Sequence, residues 1–195
     1  MRIISGISKG RKLATPKNQI LRPTSDRVKE SIFNILREEV EGKLVLDLFA
    51  GTGNLGIEAL SRGAKKAFFV EVGRQALRLI QRNLTQSKLE EQSEIIPKDA
   101  NRAIGILNQR RVSFDLILMD PPYESGLIKR TIMKLNSDPI YHRDSILVIE
   151  HDRREPLPTP MDGWILFREQ RVGDTVISFL APQENHRETE SEIEI

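Results

Sequence analysis

The stretch "FDLILMDPPYES", Phe114 to Ser125, ends an apolar run in an acid, two prolines and a tyrosine. Pro121 and Pro122 lack backbone N–H donors and fix the chain, so the turn presents acceptors almost alone, the Asp120 carboxylate and the Pro121 carbonyl. That edge suits a group that only donates, such as the exocyclic amine of a nucleobase. Tyr123 offers a face on which an extruded base stacks. The same four residues in isolation are an ordinary strand stop, and the rest of the chain decides between the two.

A second stretch, "DLFAGTGNLG", sets Gly51, Gly53 and Gly56 in a G-x-G-x-x-G pattern directly after a strand and at the opening of a helix. In that context the turn lets backbone approach a ligand at the carboxyl edge of a sheet. Glu71 follows the next strand, 20 residues beyond Gly51, where an acid accepts from ribose hydroxyls. Asp47 precedes the glycines. A carboxylate there repels a dinucleotide's pyrophosphate and attracts a sulfonium and an ammonium, which favours S-adenosylmethionine over a nicotinamide cofactor. Asp99, in "PKDA", is placed to accept from an adenine amine. With such a donor beside "DPPY", acceptors on both amine N–H bonds turn the nitrogen lone pair toward the methyl group. Their charge stabilises the positive charge that grows on nitrogen.

These residues need a scaffold that brings several strand ends together. From Lys43 the apolar runs "KLVLDLFA", "KKAFFVEV", "SEIIPKDA", "VSFDLILMD" and "SILVIEH" alternate with helical patterns. Strands without strict alternation, separated by helices, predict a doubly wound, mostly parallel Rossmann-like α/β sheet buried on both faces. "WILFREQRV" and "TVISFLAP", joined through Gly173-Asp174, add a C-terminal antiparallel hairpin. In such a sheet the fourth strand lies beside the first where the winding reverses, which brings Asp120 to the glycine loop. Upstream, "RIISGISKGRKLATP" suggests a short hairpin around Gly6 and Gly10. "RPTSDRVKESIFNILREEV" follows as a helix with Thr24, Ser25 and Asp26 as cap candidates. The expected division is a basic hairpin and helix at 1–40, a catalytic domain at 41–182, and an acidic, disordered tail at 183–195.

At 195 residues the chain supports one well-buried core, and its 38% apolar and 30% charged content fits a soluble globular domain. No apolar run approaches a membrane span and no signal peptide is evident, so the cytoplasm is expected. The absence of cysteine excludes disulfides, thiolate zinc sites and cysteine nucleophiles. No metal grouping, P-loop lysine or Ser-His-Asp set competes with the acids, and His151 is expected at most to support the cleft. A net charge of +2 conceals an asymmetry: residues 1–30 hold eight basic residues against two acidic ones. Such a segment favours binding to phosphates. Nothing demands a dimer, and a monomer is expected.

With these residues in place the chain closely resembles the 16S ribosomal RNA guanine-N2 methyltransferase family, in the S-adenosylmethionine-dependent class. The resemblance rests on "MRIISGISKGRKL", "LRPTSDRVKESIFNIL", "VLDLFAGTGNLGIEALSRGA", "FVE", "DLILMDPPY", "VIEH" and "GDTVISF". It implies methylation of one guanine in small-subunit ribosomal RNA, with Asp120, Pro121 and Tyr123 as the catalytic motif. The same resemblance implies that Asp47, Gly51, Gly53, Glu71 and Asp99 hold the cofactor, with Phe49 and Ala100 beside them, and that Arg22, Thr24 and Arg27 line the cleft entrance and meet RNA; Lys9, Arg11 and Lys12 of the basic segment are expected to bind RNA through its phosphates. The acceptor edge also fits a DNA adenine-N6 methyltransferase, for which the chain lacks a sizeable target-reading domain. A nicotinamide oxidoreductase, disfavoured by Asp47, and a non-catalytic RNA-binding assembly factor are the readings from other classes.

Overall fold

The computed structural model describes residues 1–16, 25–122 and 126–183. Thr24 and Arg22, Tyr123, and the tail from residue 184 onward therefore lie outside the described residues. The elements run α1 (Asp26–Leu36), a 3-10 turn (Arg37–Val40), β1 (Leu44–Asp47), α2 (Asn54–Ser61), β2 (Lys66–Val70) and α3 (Arg74–Ser87). They continue with β3 (Ser93–Ile96), α4 (Ala100–Gln109), β4 (Phe114–Met119), α5 (Leu127–Ser137), β5 (Tyr141–Asp152), β6 (Trp164–Val172) and β7 (Thr175–Pro182).

One seven-stranded sheet has the order β3-β2-β1-β4-β5-β7-β6. Its first five strands are parallel, and β7 runs antiparallel to both β5 and β6. This is the doubly wound α/β sheet with a C-terminal hairpin that the sequence predicts. Alternate side chains along β1 enter different cores. Val45 joins the cluster beneath α1, α2 and α3, with Ile32, Ile57 and Ile80, whereas Leu46 joins the one beneath α4 and α5, with Ile104 and Ile132. Both faces are covered, which is why the strand runs are continuously apolar.

The N-terminal segment is tied into this core. Its arms meet in a single antiparallel bridge, Arg2 to Lys12, with Ile3 N–H donating to the Arg11 carbonyl at 2.9 Å. The expected hairpin is thus present as a loop with one bridge. Polar groups of the helices take up the backbone of this loop. Glu58 accepts from the N–H groups of Ile4 and Ser5 at 2.8 and 3.0 Å, and Asn83 from that of Ala14 at 2.7 Å. The Asn83 amide also donates to the carbonyls of Ala14 and Thr52, at 3.1 and 2.9 Å. Ser25 caps α1 through the Val28 N–H, as its position before the apolar stripe predicts.

One basic residue of this segment does not belong to the surface. Lys29 is 0% exposed, with its ammonium 3.2 Å from Glu58 and donating to Asn54 Oδ1 at 2.7 Å and to the Arg2 carbonyl at 2.6 Å. Burial lowers its pKa, against the pull of Glu58. Its charge is spent inside the protein, so the basic surplus available to a phosphate is smaller than the sequence count.

Candidate functional site

The parallel register collects acids at one edge of the sheet. Asp47, the last residue of β1, pairs with Phe69 of β2 on one side and Leu118 of β4 on the other. Glu71 and Asp120 lie two residues further along those chains, and Met119 pairs with Ile149 immediately before Glu150. Glu71, Asp47, Asp120 and Glu150 consequently stand side by side along four neighbouring strands, in that order, the first three at strand ends and Glu150 where β5 leaves β4. All four line a single cleft of about 610 Å³. Phe49, Gly51, Asp99, Ala100 and Pro121 line it as well, so the structure brings together most of the residues expected to hold the cofactor or to form the catalytic motif.

The glycine loop forms its wall. Gly53, with φ of +79°, is the left-handed cap before α2, a conformation costly for any residue with a Cβ. It does not line the cleft; it shapes the turn that does. Gly56 serves close packing: a Cβ there would meet the Phe69 ring at 2.4 Å. Its N–H donates to Asp47 at 3.0 Å, linking the strand end to the first turn of α2.

Asp47 is 1% exposed, and its pKa is raised to about 7. Burial is the largest cause, opposed by the Gly56 N–H and reinforced by the nearby Asp120 and Glu71 carboxylates. A cation brought beside it relieves all three unfavourable contributions. Glu71 has a different setting: Oε2 accepts from Gly51 N–H at 2.8 Å, and Oε1 from Val72 and Gly73 N–H at 2.8 and 2.6 Å. Beyond its expected place beside a ribose, it therefore pins the glycine loop to the end of β2. Asp99 caps α4 by accepting from Arg102 N–H at 3.1 Å while remaining at the cleft wall.

Other expectations separate from the cleft. Lys9, Arg11, Lys12 and Arg27 are exposed, and none lines it. The Arg11 guanidinium donates to the Gln86 carbonyl on α3. His151 is neither solvated nor in the wall. It is 3% exposed, with Nδ1 at 3.0 Å from the Glu155 carbonyl and Nε2 at 2.9 Å from Ser178 Oγ. Since a carbonyl only accepts, Nδ1 donates to it, and the ring joins β5 to β7 through Ser178, an internal packing role. Its neighbour Glu150 is the residue that faces the cleft, together with Thr131 of α5 and Thr175 of β7. The sequence pattern does not single out these three residues, because β5 runs on past Glu150 to Asp152.

Comparison with known proteins assigns the chain to a family. Residues 1–181 match the family model described as Conserved hypothetical protein 95. The chain is 37% identical to a Bacillus subtilis protein named as an rRNA methyltransferase, YlbH, over 91% of this chain and 97% of that one. It is 36% identical to the ribosomal RNA small subunit methyltransferase D of Haemophilus influenzae, over 89% of each chain. A solved Escherichia coli structure named as a methyltransferase, yhhF, superposes with a TM-score of 0.82 at 32% identity, covering 95% of this chain and 99% of that one. Matched along nearly its whole described length in sequence and fold, the chain belongs to the Conserved hypothetical protein 95 family, that of the small-subunit ribosomal RNA methyltransferases D.

Proposed function

We propose that this protein transfers a methyl group from S-adenosylmethionine to the exocyclic N2 amine of a guanine in 16S ribosomal RNA of the small subunit. The observation that carries the reading is the row of carboxylates from neighbouring strands in one cleft, beside a glycine loop and a double-proline turn. The relatives' names support ribosomal RNA as the substrate.

The residues present fit the cofactor. Asp47, buried and with its pKa raised, gains from a cationic amino acid group. Glu71 Oε2 carries one backbone donor and keeps acceptor capacity for a ribose hydroxyl. Asp99 and Ala100 lie where the adenine end would rest, and Phe49 and Gly51 complete the wall. When bound, the cofactor supplies a methyl group on a positively charged sulfur.

The chain's own part is to orient the amine. Asp120 and the Pro121 carbonyl accept its two N–H bonds, aim its lone pair, and stabilise the charge that develops on nitrogen. Tyr123 stacks on the base, and Lys9, Arg11, Lys12, Arg22, Thr24 and Arg27 hold the surrounding phosphates. Labelled S-adenosylmethionine with undermethylated small subunits, and separately with duplex DNA, tests the reading. Label is expected in 16S RNA as N2-methylguanine by mass mapping; label confined to DNA overturns it.

A further inference from the structure

The cofactor chemistry leaves Glu150 unused. It is 4% exposed at the end of the parallel part of β5, and it lines the cleft beside Asp120. The pairing of Met119 with Ile149 sets the two acids on adjacent strands, roughly 5 Å apart along the backbone hydrogen-bonding direction. A second, independent observation points to a polar ligand at this end. Thr131 of α5, 1% exposed, lines the same cleft, and its hydroxyl has no hydrogen-bond partner among the described residues. A buried hydroxyl left in that condition is costly unless something fills the place.

Nucleobase chemistry says what a second carboxylate beside the amine-holding one selects. In guanine the pairing-edge ring nitrogen beside the amine-bearing carbon is an N1–H donor. In adenine and cytosine the corresponding ring nitrogen is bare and only accepts. A carboxylate facing that atom is satisfied by guanine and set lone pair against lone pair by the other two. We propose that Glu150 is a specificity-determining residue that accepts the guanine N1–H while Asp120 holds the N2 amine. The inference rests on the methyl-transfer reading above and adds the reason for guanine. Thr131 supplies a further hydrogen bond at the same end of the base. A site that rejects a ligand by leaving its own buried acceptor unpaired discriminates far more strongly than one relying on shape.

The test uses small subunits reconstituted with 16S RNA that carries guanine, 2-aminopurine or adenine at the methylated position. 2-Aminopurine keeps the amine at position 2 but lacks the N1–H. Wild-type protein is expected to prefer guanine over 2-aminopurine by ~10²-fold or more in kcat/KM. Glu150→Gln, whose amide can donate to a bare N1, is expected to narrow that ratio at least ~10-fold while binding S-adenosylmethionine as wild type does. Glu150→Asp retains the charge and is expected to keep the preference at a lower rate. Guanine labelling with an unchanged ratio in Glu150→Gln overturns the inference and leaves the proposed reaction standing. Wild-type label on adenine N6 in place of guanine overturns both. If Glu150→Gln fails to fold, wild-type protein decides alone: equal rates on guanine and 2-aminopurine overturn the assignment.

Discussion

The two halves of the cleft use the same residue type under opposite conditions. On the β1–β2 side main-chain N–H groups converge on carboxylates, three on Glu71 and that of Gly56 on Asp47. On the β4–β5 side Asp120 is followed by Pro121 and Pro122, which have no N–H to give. A carboxylate supplied with backbone donors becomes a clamp on the loop that carries them. One followed by two prolines receives no N–H from the residues next to it and is not tied to its own loop in that way. The first half should therefore govern binding and stability, and the second the chemical step.

The largest effect expected is on the second half. Asp120→Ala should lower kcat by ~10²–10³-fold, with cofactor affinity by calorimetry near that of wild type. Equal losses in kcat and in cofactor affinity would erase the distinction between the halves.

Asp47 sharpens the comparison through pH. Its folded-state pKa of about 7 lies above its ordinary 3.8. Below 3.8 both folded and unfolded forms are protonated, and its contribution to stability is complete; as pH rises to about 7 that contribution is lost, and above this the loss is constant. Asp47→Asn should then stabilise the apoprotein by roughly 2–4 kcal/mol at pH 8 relative to its effect at pH 4, measured by denaturant unfolding. The same substitution should weaken S-adenosylmethionine binding. Wild-type affinity should fall as pH drops below about 7, because the cationic ligand needs the ionised acid. A pH-independent difference between variant and wild type would contradict this account of Asp47.

Glu71→Ala should cost about 1–3 kcal/mol of cofactor binding, with a loss of stability as well, since three backbone donors lose their partner. Undiminished stability would mean that the clamp contributes little. The smallest effect is expected outside both halves. Replacing Arg11 and Lys12 by Ala should reduce the salt slope of RNA binding by roughly 1.5 and leave cofactor affinity unaltered. An unchanged slope in a filter-binding titration would remove this loop from the interface.

Much of this organisation was legible in the residue order. The parallel strands declared themselves as apolar runs between amphipathic helices, and the G-x-G-x-x-G turn marked the ligand edge because it follows β1 directly. Asp47, Glu71, Asp99 and Asp120 stood at the ends of those runs. Glu150 escaped notice because β5 continues past it to Asp152 to pair with β7, so no strand end marks it in the sequence. His151, beside it, attracted attention on residue type alone, yet the alternation of a strand turns neighbouring side chains to opposite faces. Lys29 counted as one more basic residue in a basic segment until the fold placed it against Glu58, whose own sequence context of "GIEAL" gives no hint of a partner.

By itself the sequence determined what the chain could do locally: where strands stop, where the backbone must turn without a Cβ, and which groups can only accept. The tertiary structure decided which acids share one cleft, which cation is consumed inside, and how far Asp47 departs from an ordinary carboxyl. Those outcomes depend on strand register and on removal from water, and both are set by residues distant in the chain.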